Sequence, residues 1–476
     1  MKSSLPNGAP STALADGAAP PSQRESRKAR GTALRKDCPR SRHADVILGQ
    51  GERDPLALID ESNKGRVETL LPIRFTRMAE SAFAFFRGTA NLQAHDLKGT
   101  PSAGITVQCC GDCHLMNFGG FATPERALVF DINDFDETHP GPFEWDVKRL
   151  ATSFVLAARW LGFTPADARE TLQALLAAYR TSLAQFAEMT VLETWYAKVA
   201  FDELIHSAAN DSKYLKRLKK TVEKATQNTA EHVFHKITTT EHGRPRLVDS
   251  PPLLYHSDSS RGDLERDVMP FLEKYRASLS RDRQALFDRF RVEDSAHKVV
   301  GVGSVGTRCY IVLFAGDQDD HLFLQVKEAG PSVMEGLAGA SPFKNNGERV
   351  VTGQRLMQSA SDIFLGWVRV AHIDYYVRQM RDMKVAPDLT GYTPALLAAY
   401  GRVCGRTLAR AHAKSGDAAT LTGYLGNRPA FDGAVTRYAL AYADQVEKDY
   451  EKFKAAIKAG RFPVETLPSE TEEAIR

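Results

Sequence analysis

The spacing of apolar and polar positions divides the chain into a helical part, a strand-rich part and a second helical part. Apolar residues recur at intervals of three and four over 66–88, 141–162 and 165–198, which predicts helices there. Two shorter apolar runs, 104–110 and 126–132, have the length and the β-branched content of strands. The first part is therefore expected to be a helical core that includes two strands with a polar loop between them.

The strand-rich part is the stretch HKVVGVGSVGTRCYIVLFAGDQDDHLFLQVKEA, residues 297–329. It contains a strand, a glycine turn, a second strand, an aspartate-rich turn and a third strand. Helical spacing returns over about 346–360, 394–413 and 434–459. No internal repeat is apparent. The predicted class is α+β, with a small antiparallel sheet among many helices.

Composition adds only broad limits. The 476 residues suffice for two or three domains, and 43% hydrophobic and 25% charged residues are typical of a soluble globular protein. No apolar run of about 18 residues is present, so neither a membrane span nor a membrane partner is expected. The start of the chain lacks the apolar region of a secretory signal, and the six cysteines do not form a disulfide framework. A cytoplasmic protein is predicted.

The formal net charge of +3 is unevenly distributed. Residues 1–43 contain nine Lys and Arg against three Asp and Glu, together with many Ser, Gly, Ala and Pro. Such a segment has too few large apolar residues to order itself, which predicts a disordered basic tail. Weak contacts of this tail are the one route to nucleic acid that the sequence offers, and nucleic acid is otherwise not an expected partner.

Glycines follow the pattern G-x-G-x-x-G at Gly301, Gly303 and Gly306, with Ser304 inside it. A dinucleotide-binding fold would need a helix directly after the glycines, whereas TRCYIVLFAG is β-branched and aromatic. The pattern therefore favours a hairpin whose glycine turn covers nucleotide phosphates. Only glycine lets backbone N–H groups approach phosphate oxygens so closely.

Lys327 is the basic residue of the next predicted strand, LFLQVKEA. A lysine on a mostly buried strand is costly unless an anion accompanies it. Phosphate oxygens and a helix carboxylate would meet that need, and Glu348 at the start of the predicted helix 346–360 is the preferred carboxylate. Glu335 is a nearer candidate in a loop. The alternative is an edge-strand lysine that points to water.

Three chemistries compete for the stretch CCGDCHLMNFGG, residues 109–120. Cys110 and Cys113 form a C-x-x-C pair, but no second cysteine pair or suitably spaced histidine supports zinc or redox use. The Gly-Asp pair occurs in metal-dependent phosphoesterases, whose other motifs this chain lacks. Buried apolar packing is the ordinary role for such cysteines.

Phosphoryl transfer is the third chemistry. It needs a carboxylate that accepts a hydroxyl proton, and an amide with carboxylates to hold a divalent metal on the phosphates. Asp112 and Asn117 lie on one loop, and Asp131, Asp134 and Asp136 follow at the end of a predicted strand. A solvated turn is the alternative for these acids, but their position directly after an apolar strand favours a cation site.

These stretches resemble known families. GDCHLMNFG followed by VFDINDFDE resembles the catalytic G-D-x-H-x-x-N loop and the metal-binding strand of aminoglycoside-phosphotransferase-like kinases. Over about residues 40 to 450 the chain more closely resembles a bacterial family known as Domain of Unknown Function 2252. That resemblance rests on RMAESAFAFFRG, GDCHLMNFG, VFDINDFDETHPGPFEWDVKRLA, KVVGVGSVGTRC, LFLQVKEA, GERVVTGQRLMQSASDIFLGW and YYVRQMRDMK. Membership of this second family implies no activity, so only the kinase-like motifs imply a mechanism.

The kinase resemblance implies roles for the matching residues of the loop. Asp112 would be the catalytic base and Asn117 a metal ligand. His114 would order the loop by hydrogen bonding, with a purely structural histidine as an equal alternative. Asp146 is expected to brace the loop from a helix N-terminus.

The second metal-binding acid depends on how the motif is counted. Counting back from Trp145 and Asp146 favours Asp134, whereas counting forward from Asn117 favours Asp131. Asp134 is the preferred ligand. Glycine-loop amides and Lys327 would hold the phosphates.

The order of the motifs is unusual, because the glycine loop precedes the catalytic loop in kinases and follows it here. This order implies a circularly permuted, protein-kinase-like fold with two lobes. A helical lobe over 44–289 would contain the catalytic and metal loops, and a sheet lobe over 290–385 the glycine loop. Helices of 386–476 would complete the helical lobe.

The function that the sequence predicts is ATP- and Mg²⁺-dependent phosphoryl transfer to a hydroxyl of an unidentified acceptor, a small molecule in preference to a protein. Two alternatives stay open. One is nucleotidyl transfer with the nucleotide reversed in the same cleft, and the other is a regulatory module that binds nucleotide without turnover.

Overall fold

The computed structural model describes residues 24–48, 53–207, 212–227, 230–256, 268–299, 301–317, 320–380 and 386–465. Its helices are α1 Arg24–Ala33, α2 Pro55–Asn63, α3 Leu71–Ala79, α4 Ala82–Arg87, α5 Ala90–Leu97, α6 Phe143–Trp160, α7 Pro165–Glu188, α8 Val191–Tyr196, α9 Phe201–Ser207, α10 Ser212–Gln227, α11 Ala230–Ile237, α12 Met269–Ala277, α13 Arg281–Phe287, α14 Asn346–Met357, α15 Pro394–Ser415, α16 Ala418–Leu425 and α17 Ala430–Lys458. Its strands are β1 Thr106–Cys109, β2 Phe118–Ala122, β3 Leu128–Ile132, β4 His139–Pro142, β5 Thr238–Glu241, β6 Arg244–Leu247, β7 Leu254–Tyr255, β8 Arg291–Lys298, β9 Cys309–Ala315, β10 His321–Glu328, β11 Gly366–Val370 and β12 Ile373–Gln379. The predicted α+β class is confirmed. No helix within the described ranges is both long and apolar enough to cross a bilayer.

The largest sheet is antiparallel and has six strands in the order β11-β12-β10-β9-β8-β7. Side chains alternate between its two faces, as the period of a strand requires. Leu324 and Val326 of β10 pack against α12 in one apolar cluster. Lys327 of β10 lies opposite Tyr376 of β12 in the strand register. The other face is polar where Gln325 and Lys327 lie opposite Arg378 and Tyr376, and apolar at Phe323.

Helix α6 forms the centre of the helical part. Almost every one of its residues is buried, and it packs against α7, α15 and α17. A helix buried on all sides belongs to the interior of a large core. Its first turns nevertheless contain the charged residues Asp146 and Arg149, both nearly inaccessible to solvent. Buried charges of this kind need partners, and theirs lie in the loop after β1.

Two short antiparallel pairs bring two polar loops together. Strand β1 pairs with β4 and strand β2 pairs with β3. Cys109 lies opposite His139, and Phe118 lies opposite Ile132. Loop 110–117 connects β1 to β2 and loop 133–138 connects β3 to β4, so both loops emerge at the same edge of these pairs.

The disordered tail predicted over residues 1–43 is wrong for residues 24–43, because this part contains α1 and most of a 3₁₀ turn at Arg40–Ala44. Residues 1–23 of the predicted tail lie outside the described residues. Helix α1 packs on α16, where a Cβ on Gly31 would lie 2.0 Å from the carbonyl oxygen of Thr420. Lys28 forms an ion pair with Glu188 at 2.7 Å. The order of α1 comes from partners far away in the sequence, which a local composition argument overlooks.

We expect Gly31→Ala to destabilise the docking of α1, because the added methyl group meets backbone atoms of α16 that cannot move aside independently. The expected cost is about 1–3 kcal/mol. Thermal unfolding and the rate of proteolysis within α1 measure it. Gly433→Ala in α17 is the matched control, since its added Cβ has only one neighbour, at 3.7 Å. Equal behaviour of the two variants would contradict the close helix contact.

Candidate active site

Helix α6 anchors loop 110–117 by hydrogen bonds to the backbone of the loop. The carboxylate of Asp146 accepts hydrogen bonds from the backbone N–H groups of Cys110 at 2.7 Å and Gly111 at 3.1 Å. Gly111 has φ +81°, and a Cβ there would lie 2.1 Å from the carbonyl oxygen of Glu137. Glycine is thus required at this point, and Asp146 braces the loop as predicted.

Asp112 follows Gly111 in this loop, and its carboxylate is also bound to α6. Its Oδ1 accepts a hydrogen bond from Arg149 Nε at 2.6 Å, and 17% of its side chain is exposed. Burial raises the pKa of Asp112, although Arg149 acts in the opposite direction. Arg149 also donates to the carbonyl oxygen of Phe86 and stacks on the ring of Phe86 at 4.3 Å. Asp112 is therefore fixed in orientation while part of it stays accessible.

Asn117 closes the same loop. Its Nδ2 donates to the carbonyl oxygen of Asp112 at 2.8 Å, and its own carbonyl oxygen accepts from the backbone of Asn133 at 2.8 Å. With the amide nitrogen occupied in this way, Oδ1 is the side-chain atom that can hold a cation. The contact with Asn133 ties loop 110–117 to loop 133–138.

His114 is buried beneath the loop. Its Nε2 lies 3.7 Å from Asp112 Oδ2, beyond hydrogen-bond distance, and its Nδ1 has no hydrogen-bond partner within the described residues. Burial lowers the pKa of His114 well below its ordinary value, so the ring is neutral. Its position fits a packed histidine better than an ordering hydrogen bond.

Lys327 is the centre of a compact polar cluster. Its ammonium forms an ion pair with Asp136 and a hydrogen bond with Ser304 Oγ at 2.6 Å. Ser304 Oγ donates to Asp136 Oδ2 at 3.1 Å, and Tyr376 OH donates to Asp136 Oδ1 at 2.7 Å. Sequence-distant parts of the chain thus meet here, namely the glycine loop, β10, β12 and loop 133–138.

Charge within this cluster sets the protonation of its acids. Burial acts to raise the pKa of Asp136, but the ammonium of Lys327 outweighs it and lowers that pKa to about 2. Burial and the charge of Asp136 raise the pKa of the neighbouring Asp134, whose Oδ1 accepts from the backbone N–H of Asp136 at 3.1 Å. Asp136 is therefore ionised, and Asp134 is the acid that a bound cation would most readily stabilise as a carboxylate.

Asp131 and Glu348, two residues that the sequence predicted for this site, do not make the predicted contacts. Asp131 is fully buried and pairs with Arg410 at 2.6 Å, while Ser359 donates to it from both N–H and Oγ. This carboxylate is saturated inside the protein, so the metal-binding role considered for Asp131 does not fit its environment. The carboxylate partner of Lys327 among the described side chains is Asp136, and Glu348 does not supply it.

Helix α14 contributes an arginine to the site in place of the expected glutamate. The guanidinium of Arg349 donates to the carbonyl oxygens of Asp136 at 2.8 Å and Thr138 at 2.6 Å. Glu348 lies in the first turn of α14, where Asn345 caps its backbone N–H. Carbonyl oxygens of loop 133–138 point at α14, and these require a donor such as arginine.

The glycine loop is a short 3₁₀ turn, Val302–Ser304, bounded by Gly301 and Gly306, and Gly306 has φ +88°. Arg66 holds it from outside by donating to the carbonyl oxygens of Gly303 at 2.9 Å and Val305 at 2.6 Å. A Cβ on Gly303 would lie 3.9 Å from Asp112 Oδ2. The loop therefore covers the catalytic candidate Asp112.

A cavity of about 680 Å³ adjoins these loops, within the usual size of small-molecule sites. Gly301 is on its wall, together with Asn133 and with Gln325 and Arg378 of the polar sheet face. Arg378 donates to Gln325 Oε1 at 2.9 Å and to the carbonyl oxygen of Asn133 at 3.3 Å. The Lys327 cluster and Asp112 lie next to the cavity wall and not on it.

Sulfur ligands do not offer a better account of the loop. The Sγ atoms of Cys110 and Cys113 and an oxygen of Asp146 lie within 4.8 Å of one another. Burial raises the pKa of both thiols, so they are neutral, and the oxygens of Asp146 already accept the two loop amides. The six cysteines are free and buried, as expected of small apolar fillers.

The sequence patterns did not indicate several residues of the site, chiefly Arg149, Ser359, Tyr376, Arg378 and Arg410. Tyr376 and Arg378 alternate within YYVRQM, which could have indicated a polar strand face. Arg149 follows Asp146 by three positions on one helix and so lies on the same face. Arg410 and Ser359 left no comparable signal.

Comparison with known proteins gives one family. A model of uncharacterized proteins conserved in bacteria, DUF2252, matches residues 66–456. No curated protein and no solved structure matches the chain. The matched range includes both loops, the glycine loop, Lys327 and α15. Since the match covers most of the sequence, the chain belongs to this bacterial family, Domain of Unknown Function 2252.

Proposed function

We propose that the protein is an ATP- and Mg²⁺-dependent phosphotransferase with a kinase-like, circularly permuted fold. The observation behind the proposal is the meeting of Lys327, Ser304 and Asp136 beside the loop of Asp112 and Asn117. These are the parts that phosphoryl transfer requires, and they come from segments far apart in the chain.

The arrangement of the sheet supports the same proposal. A strand, the glycine loop, a second strand, a strand with a lysine and then a helix follow one another as β8, Gly301–Gly306, β9, β10 and α14. Protein kinases use this succession to cover and hold nucleotide phosphates. A permuted chain would place it after the catalytic loop, which is the order found here.

Each residue of the cluster has a role in this proposal. Lys327 and glycine-loop N–H groups hold phosphate oxygens, and Arg349 holds loop 133–138 in place. Asn117 Oδ1 and the carboxylates of Asp134 and Asp136 are oxygen ligands of the kind that Mg²⁺ prefers, so the donor set fits this ion. When bound, Mg²⁺ would neutralise charge on the phosphates.

Asp112 would act as the base. It accepts the proton of the acceptor hydroxyl while the acceptor oxygen forms a bond to the γ-phosphorus and the bond between that phosphorus and the β-phosphate oxygen breaks. ADP and the phosphorylated acceptor are the products. Arg149 holds the carboxylate of Asp112 in the orientation that this step needs.

Calorimetric titration with ATP tests the proposal. We expect binding that requires Mg²⁺ and weakens roughly tenfold or more in Lys327→Ala, because a charge-assisted contact to phosphate is lost. Asp134→Ala should weaken the Mg²⁺-dependent part. Lys454→Ala, a surface change on α17, is the matched control. Absence of nucleotide binding by the wild-type protein, with or without Mg²⁺, would refute the phosphotransferase proposal.

A further inference from the structure

The cavity beside the site has a predominantly cationic wall. Among the residues that the structure describes, five basic side chains line it against two carboxylates. The basic ones are Arg77, Arg87, Arg126, Lys298 and Arg378, and the acidic ones are Glu80 and Asp362. A concave surface with low-dielectric walls and one dominant sign of charge concentrates ligands of the opposite sign. The cavity therefore suits an anion.

Arg87 places part of this positive charge next to the proposed base. A Cβ on Gly303 would lie 3.4 Å from the carbonyl oxygen of Arg87 and 3.9 Å from Asp112 Oδ2. Arg149 bridges the carbonyl oxygen of Phe86, the residue before Arg87, and the carboxylate of Asp112. The backbone of Arg87 therefore lies close to Asp112, and the charge of its side chain, like that of Arg149, opposes the rise that burial causes in the pKa of Asp112.

We propose that this cationic wall binds the acceptor and that the acceptor is a small hydroxylated anion, phosphorylated or carboxylated. The proposal rests on the phosphotransferase function. An anionic group on Arg77 and Arg87 would direct a hydroxyl of the same molecule towards Asp112. The same wall repels polycations, so aminoglycosides, the acceptors of the kinases that the catalytic loop resembles, are excluded by charge.

Calorimetry on the full chain, saturated with Mg²⁺ and a non-hydrolysable ATP analogue, tests the acceptor class. The anionic probes are glycerol 3-phosphate, 3-phosphoglycerate and citrate, the neutral probe is glycerol, and the polycationic probe is kanamycin. We expect an anion to bind more tightly than glycerol, and Arg77→Met and Arg87→Met to weaken it by about tenfold or more. Affinity for the nucleotide should stay within about twofold, as for any change outside its phosphate contacts. Arg283→Met on α13, away from the cavity wall, is the charge-matched control.

Three results would overturn the inference: binding of kanamycin, no anion binding tighter than glycerol, or equal weakening of nucleotide and anion in the arginine variants. The last result would assign the wall to the nucleotide's own phosphates. If the wild-type protein binds no nucleotide, the anionic probes are titrated in the absence of nucleotide. These titrations test the anion site separately from the phosphotransferase function. Anion binding that Arg87→Met removes would then preserve the anion site while the phosphotransferase function fails.

Discussion

The Asp112→Asn variant is expected to lose about 10²–10⁴-fold in the rate of ADP formation, the usual contribution of a positioned base. Asparagine has nearly the same shape, and its Oδ1 can still accept the hydrogen bond that Arg149 Nε donates at 2.6 Å. What disappears is the ability to accept a proton. Nucleotide affinity should stay within about twofold, because the side-chain donor to the Asp112 carboxylate is Arg149, which is not among the proposed phosphate-binding residues.

Magnesium-dependent ADP formation, with and without anionic acceptors, is the measurement, and calorimetry supplies the affinity. Asp282→Asn, the same change at an exposed acid of α13, controls for the substitution itself. Unchanged turnover in Asp112→Asn would exclude Asp112 as the base. Loss of affinity and rate together would instead indicate a structural role for the carboxylate.

The pH dependence of the wild-type rate gives a second view of the same residue. Burial raises the pKa of Asp112 above its ordinary value, and a base works only when it is deprotonated. As the pH falls through the raised pKa, the rate should fall, beginning at a higher pH than an exposed aspartate would allow. This acidic limb should be absent from the residual activity of Asp112→Asn.

Local sequence patterns predicted the elements of this site well. The period of two in LFLQVKEA places Lys327 opposite the apolar face of β10, and the glycines before it end in a tight turn at Val302–Ser304. Gly111 allows the close approach of loop 110–117 to Glu137. Such features depend on residues within a few positions of one another, so the sequence alone contains them.

Partner identity was the part that local patterns could not supply. Glu348 was preferred as the partner of Lys327 because it begins a helix, but in the folded chain Asp136 of loop 133–138 forms the ion pair with the ammonium. The sequence alone does not distinguish the roles of Asp131 and Asp136. Only the packing of α15 shows that Asp131 forms a buried ion pair with Arg410, whereas Asp136 pairs with Lys327. The order of α1 likewise comes from α16, which lies far away in the chain.

Arg410→Met is expected to lower the free energy of unfolding by about 3–5 kcal/mol, because it leaves the carboxylate of Asp131 buried without its counter-ion. Both side chains are inaccessible to solvent and their atoms lie 2.6 Å apart. Arg410 also donates to the carbonyl oxygen of Met357 at 2.6 Å, so the end of α14 loses a contact as well. Urea-induced unfolding measures the effect.

The surface variant Arg461→Met is the matched control, since Arg461 pairs with Asp60 in a half-exposed ion pair worth about 0–1 kcal/mol. The double variant Asp131→Asn with Arg410→Met should recover part of the loss, because it removes the uncompensated charge. This result also tests the assignment of Asp131. If Asp131 were a metal ligand facing the cleft, Arg410→Met would leave the free energy of unfolding nearly unchanged. Asp131→Asn would then abolish the Mg²⁺-dependent binding of nucleotide. If the pair is buried and structural, both single variants show the large loss of stability, and Asn117, Asp134 and Asp136 stay the proposed ligands of the cation.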